Sequence, residues 1–175
     1  MQEWLQFSAR AKRALTVYRK VVRALVFVLS VFAGLGVLTM MLVTCLDVIL
    51  RIFGSPLVGA YDIVKIAGAV TIACALPYTT AVKGHVAIEY FFQKLARPGR
   101  IVVDTLARML AMALFSLLSW QSVLYGAALK RSGQVTLTLQ VPVYWVPYVI
   151  AVSCGVVVLV ILHNLLNPGR EMIKP

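Results

Sequence analysis

Apolar residues in this chain fall in four long blocks, and charged residues collect in the short stretches between them. A helix needs about 20 apolar residues to cross a hydrocarbon core of roughly 30 Å. Each block is long enough. The pattern therefore predicts an all-α integral membrane protein with four transmembrane helices, over about 24–48, 61–82, 104–129 and 142–166. These form a single four-helix transmembrane domain over 24–166, preceded by a cytoplasmic N-terminal segment, 1–23, and followed by a cytoplasmic tail, 167–175.

Punctuation between the blocks supports the division. The first uncharged run, Ala24 to Leu46, is too long for a signal-peptide core, and no small-x-small cleavage site follows it. Asp47 and Arg51 then stand one helical turn apart, a spacing that allows an ion pair. Gly54, Ser55 and Pro56 break the helix. Asp62 lies in the first turn of the second block, where a helix N-terminus favours an anion, and Lys65 can snorkel to the same interface. Pro77 interrupts this block and predicts a kink that frees the carbonyl of Ala73. Such a break marks either a binding site or a packing kink satisfied by nearby threonines. Asp104 and Arg108 repeat the i,i+4 ionic pattern ahead of the third block. Pro142 suits the first turn of the fourth, Tyr144, Trp145 and Tyr148 make an aromatic belt there, and Asn167, Pro168 and Gly169 end it.

Two amphipathic stretches lie outside the blocks. Glu3, Gln6, Arg10, Arg13, Thr16, Lys20 and Arg23 form a polar stripe at helical spacing, opposite Trp4, Ala11, Leu15, Tyr18 and Val22. This basic amphipathic helix is expected to lie on an anionic leaflet; continuation of the first span and docking of a partner helix are the alternatives. Between spans two and three, Ile88, Phe91, Phe92 and Leu95 oppose Glu89, Gln93 and Lys94, which predicts a short interfacial helix ended by Pro98 and Gly99.

Composition narrows the class. The chain is 61% hydrophobic, against about 45–50% for a soluble domain. Its net charge of +11 does not indicate nucleic acid, because the basic residues flank apolar runs instead of forming a face; membrane lipids are the expected contact. Thirteen of the 17 Lys and Arg fall on one side of the four spans. The positive-inside rule then places both termini and the middle loop in the cytoplasm and the two short loops, around Gly54 and Gly133, outside.

Little in the sequence suggests chemistry. Cys45, Cys74 and Cys154 stand singly in apolar blocks and read as small buried hydrophobes. His85 and His163 are the two histidines, too few at one depth for a membrane haem. No nucleophile–base set, paired intramembrane carboxylates or phosphate loop is present, and no span carries a charge near its centre, as ion and proton pathways usually do. No catalytic, cofactor or metal residue is therefore expected in this chain. Small residues line span one (Ala33, Gly34, Gly36) and span two (Ala67, Gly68, Ala69, Ala73), where they serve contacts within the bundle or with a partner.

Four motifs, in order, carry a resemblance. RIFGSPLVGAYDIVK, with Arg51, Phe53, Pro56, Asp62 and Lys65, resembles the segment between spans one and two of the small permease subunit of tripartite ATP-independent periplasmic (TRAP) transporters. AVKGHVAIEYF, with Gly84, His85 and Glu89, is similar to that family's Gly-His loop. WQSVLYG, from Trp120 to Gly126, resembles its third span. GQVTLTLQVPVYWVPY, with Gly133, Pro142 and Trp145, resembles its segment before span four. The chain departs at Ala60 and Tyr61, where the family often has Trp and a second acidic residue, and at Glu89, where Asp is commoner.

The resemblance implies a role that residue spacing does not. In such transporters a periplasmic binding protein captures an organic acid, and a large permease subunit carries it inward, coupled to sodium. The small subunit serves as a scaffold and not as the substrate pathway. The expected partners are thus the large subunit and the binding protein, any sodium ions sit in the large subunit, and the location is the bacterial inner membrane. The competing reading is a membrane anchor of a redox enzyme.

Overall fold

The computed structural model describes residues 2–82 and 97–166. They form four helices: α1 (Gln2–Ile52), α2 (Ala60–Ala81), α3 (Arg97–Ser132) and α4 (Trp145–Leu166). All four contain a stretch long and apolar enough to span a membrane: Thr16–Ile52, Ala60–Ala81, Thr105–Ser132 and Trp145–Leu165. The interfacial helix expected between spans two and three, with Gly84, His85 and Glu89, lies outside the described residues, as does the tail.

α1 corrects the expectation of a separate helix lying on the leaflet. It runs unbroken for 51 residues, about 76 Å at 1.5 Å per residue. The reason lies in the sequence: no proline precedes Pro56 and no glycine precedes Gly34, so nothing interrupts the backbone ladder at the start of the span. The described end of the apolar stripe, Tyr18 and Val22, is also engaged within the bundle. Val22 and Val26 are buried against Ala81 of α2 and Val156 and Val160 of α4, with Tyr18 packed beside them.

The helices form two hairpins. α1 packs on α2, α3 packs on α4, and the hairpins join through α2 and α4, with a lighter contact between α1 and α4. α4 is accordingly the most enclosed span and α3 the least. Ala73, Cys74 and Pro77 of α2 and Ser153, Cys154 and Val157 of α4 are buried. Pro77 thus packs inside the bundle. The hydroxyls of Thr79 and Thr80 reach the carbonyl of Leu76, both at 2.9 Å, one turn beyond the Ala73 carbonyl that Pro77 frees. Small residues let α1 and α2 approach: a side chain on Gly36 would strike Thr71, and one on Gly68 would touch Met40. Gly34 faces open space. Cys45 is exposed on α1, correcting the expectation that all three cysteines are buried.

Element ends differ from expectation in two places. Pro98 and Gly99 lie in the first turn of α3, where the missing proline N–H costs nothing. The fourth helix begins at Trp145, not Pro142. Pro142 instead forms an antiparallel bridge with Val135. Its neighbours make the ladder bonds, the carbonyl of Val141 accepting from Thr136 N at 3.0 Å and Val143 N donating to the Gln134 carbonyl at 3.4 Å. Pro142 therefore occupies a position that needs no donor. The proline inside the first turn of α4 is Pro147.

Candidate functional site

Six of the motif residues gather at the end of the bundle that carries the two short loops. α1 stops there in a Schellman turn: Ser55 N donates to the Leu50 carbonyl and Gly54 N to that of Arg51, each at 3.1 Å. Gly54 takes φ of 81°, the left-handed conformation this turn requires. Asp47, a turn before the end, uses both its oxygens. Oδ2 pairs with Arg51 at 2.8 Å, and Oδ1 accepts Leu57 N at 3.0 Å. The expected Asp47–Arg51 pair is therefore present, and its carboxylate also folds the following loop back onto α1.

Asp62 does the same for the other loop. Its carboxylate is 4% exposed, and Oδ2 accepts Thr138 N at 2.9 Å and Leu139 N at 3.0 Å. Besides facing the start of its own helix, it grips the α3–α4 loop some 76 residues further along the chain. Thr136 completes the fold of that loop, its hydroxyl accepting Val141 N at 3.1 Å. Gly59 precedes α2 with φ of 86°, and the Leu139 side chain occupies the space a Cβ there would need. Gly59, Asp62 and Leu139 thus join the two loops.

The structure brings Arg51, Pro56, Asp62, Gly133, Pro142 and Trp145 to this one end. Arg51 and Pro56 line an open cleft between α1 and α2, together with Asp47, Leu57, Tyr61 and others, of about 360 Å³. Lys65 is exposed one turn further along α2. Trp120 stands apart, 66% exposed on α3. Lys130 approaches the Tyr144 ring, 5.8 Å from its centroid, and the Tyr148 ring packs over Gly126. These contacts tie the aromatic belt to α3.

A second polar group, unforeseen from the sequence, sits at the opposite end. The Tyr18 hydroxyl donates to the Leu159 carbonyl at 2.7 Å, and its ring stacks on His163 with centroids 6.0 Å apart. Arg108 Nη1 donates to the Asn164 carbonyl at 2.6 Å, serving as a cationic cap for the last turn of α4. The expected partner of Arg108, Asp104, lies outside the described side chains. His163 Nδ1 and Asn164 Oδ1 are buried without a hydrogen-bond partner. Three of the four spans are thereby linked: α1, α3 and α4. No local motif announces such contacts; the one signal was the presence of a histidine and an asparagine near the end of an apolar run.

Among the described residues, no group of three or more His, Cys, Asp or Glu side chains is placed to hold a metal ion. Residues 40–170 match the family described as tripartite ATP-independent periplasmic transporters, DctQ component. No curated protein and no solved structure matches the chain.

Proposed function

This chain belongs to the DctQ family, the small membrane subunit of TRAP transporters, and from that premise we propose that it is the scaffold subunit of a binding-protein-dependent, sodium-coupled importer of an organic acid. The family is one of transporter subunits and not of enzymes, and the four apolar helices make the chain a multi-pass membrane protein. The observation that carries the proposal is the match over residues 40–170, which takes in the end of α1 and the whole of α2, α3 and α4.

Two features support the scaffold role. Where α2 meets α4, Ala73, Cys74, Pro77, Ser153 and Val157 are buried, and Ser153 reaches Cys74 across it in a long contact of 3.9 Å. A substrate acid would need polar or cationic lining at that depth. The two loops, moreover, are held by carboxylates, the first to α1, which it follows, and the second to α2 of the other hairpin, as suits a part that stays fixed while another moves. In this reading the large permease subunit packs against the chain, carries the substrate and holds the sodium ions. The chain sits in the bacterial inner membrane with both termini in the cytoplasm, its short loops facing the periplasmic binding protein.

Reconstitution tests this reading. Vesicles holding this chain and the large subunit, supplied with the binding protein and a sodium gradient, are expected to accumulate the acid, and the two chains to co-purify one to one. Uptake by vesicles holding this chain alone would refute the scaffold role. Full uptake by the large subunit without it would do so as well.

A further inference from the structure

The open cleft between α1 and α2 has no role in the reading above. It opens at the loop end of the two helices, where Arg51, Leu57 and Tyr61 line it, and runs to Thr44 and Val64 further into the spans. Arg51 is 70% exposed and Tyr61 72%. The pair to Asp47 is made through one guanidinium nitrogen, Nη2. Arginine has five N–H donors in a planar fork, and this bond uses one of them. The other Asp47 oxygen is engaged by Leu57 N.

Lys65 adds a second cation. It follows Tyr61 by one helical turn on the same face of α2 and is exposed. At that depth, surrounded by acyl chains, an ammonium extends its stem toward the headgroup level to stay solvated. Arg51 lines the cleft with Asp47, and Lys65, beside the lining residue Val64 on α2, adds one positive charge next to a crevice whose inner part is apolar. A soluble anion gains nothing from that apolar part.

We propose that this cleft is a binding site for one anionic glycerophospholipid, such as phosphatidylglycerol, in the leaflet on the side of the two short loops. The phosphodiester accepts hydrogen bonds from Arg51 and Lys65, as a guanidinium fork does for phosphate oxygens. The Tyr61 hydroxyl meets the headgroup, and an acyl chain lies against Thr44 and Val64. The motif positions Arg51 and Lys65 thereby acquire a ligand, independently of which subunit carries the substrate.

The test uses the full chain, purified in mild detergent with the subunits that accompany it and examined by native mass spectrometry. It is titrated with phosphatidylglycerol, with a diacylglycerol glycolipid lacking phosphate, and with inorganic phosphate. Retention of phosphatidylglycerol is expected to exceed that of the glycolipid by about tenfold or more, the worth of one charge-assisted hydrogen bond. Lys65→Gln removes a cation, and Val64→Phe fills the cleft while leaving the Asp47–Arg51 pair intact. Each is expected to lower retention by about the same factor, while Lys130→Gln, at the other hairpin, leaves it unchanged. Arg51→Gln is expected to act likewise; should it fail to fold, the other two variants decide. Equal retention of the glycolipid, displacement of the lipid by inorganic phosphate, or unchanged retention in Lys65→Gln and Val64→Phe overturns the proposal. So does release of the binding protein by these variants with lipid retention unaltered, which would make the cleft a protein contact.

Discussion

Asp62 and Leu139 stand 77 residues apart in sequence and are joined by a 3.0 Å hydrogen bond from the Leu139 backbone N–H to the Asp62 carboxylate. The Leu139 side chain then turns back over Gly59, the residue just before the helical turn that holds Asp62. One loop is thereby clasped from both its backbone and its side chain.

Replacing Asp62 by Ala removes the acceptor for two backbone donors at once, those of Thr138 and Leu139. Hydrogen exchange at these two amides is expected to accelerate by about tenfold or more, as a protected loop becomes a locally opened one. Asp62→Asn keeps one oxygen acceptor and is expected to fall between. Unchanged exchange in Asp62→Ala would mean that the loop is held by other contacts.

Gly59→Ala has two faults, the cost of a Cβ at φ of 86° and the collision with Leu139. The conformational part alone is roughly 1–2 kcal/mol. Pairing it with Leu139→Ala is expected to relieve the collision and leave the conformational part. Thermal unfolding in detergent reads this as a double mutant more stable than the two single losses would sum to. Strict additivity would show that the side chain and the glycine are not in contact.

The α1–α2 crossing offers a third test. Thr71 Oγ1 is buried without a partner and faces Gly36. Gly36→Val is expected to force the helices apart and destabilise by about 1–3 kcal/mol. Thr71→Ala is expected to be neutral or stabilising, because it removes an unsatisfied hydroxyl. Marked destabilisation by Thr71→Ala would reveal a hydrogen bond to a group outside this chain.

Tyr18→Phe deletes the hydroxyl bonded to the Leu159 carbonyl at 2.7 Å and keeps the ring on His163. A loss of about 1 kcal/mol is expected, with the stacking and the valine cluster intact. His163→Ala, which also empties ring volume, is expected to cost more. If Tyr18→Phe proves as damaging as His163→Ala, the hydrogen bond and not the packing holds α1 to α4.

Orientation in the membrane is open to direct measurement. A reporter active only in the periplasm is expected to work when fused after Ser132 and to be silent after Pro98, given the bias of thirteen basic residues to one side. The reverse pattern would invert the topology.

The spans were legible because a bilayer imposes the same demand on every helix, and that demand is written as unbroken apolar length. The Gly54–Ser55–Pro56 stop and the Asp47–Arg51 pair were legible because their geometry is local. In the sequence Asp62 shows only as a charge at its own helix start. Its grip on Thr138 and Leu139 is set by how two hairpins meet, and no neighbouring residue encodes it. Pro142 misled for a related reason: the residue suits a helix's first turn, but the bridge to Val135 takes it first. The start of α1 was ambiguous because a cationic stripe fits a leaflet and a protruding helix equally, and the packing of Val22 and Val26 decided it.

The two-hairpin plan has a consequence for synthesis. α1 and α2 close on each other, and Asp47 ties their turn, using residues that all precede α3. The first pair can therefore leave the insertion machinery already assembled, while the ribosome is still making the second. What waits for the end is the clasp on Asp62 and the meeting of α2 with α4. Two separately translated pieces, 1–82 and 83–175, are accordingly expected to find one another in the membrane and co-purify, and failure to do so would mean that the halves depend on a continuous chain.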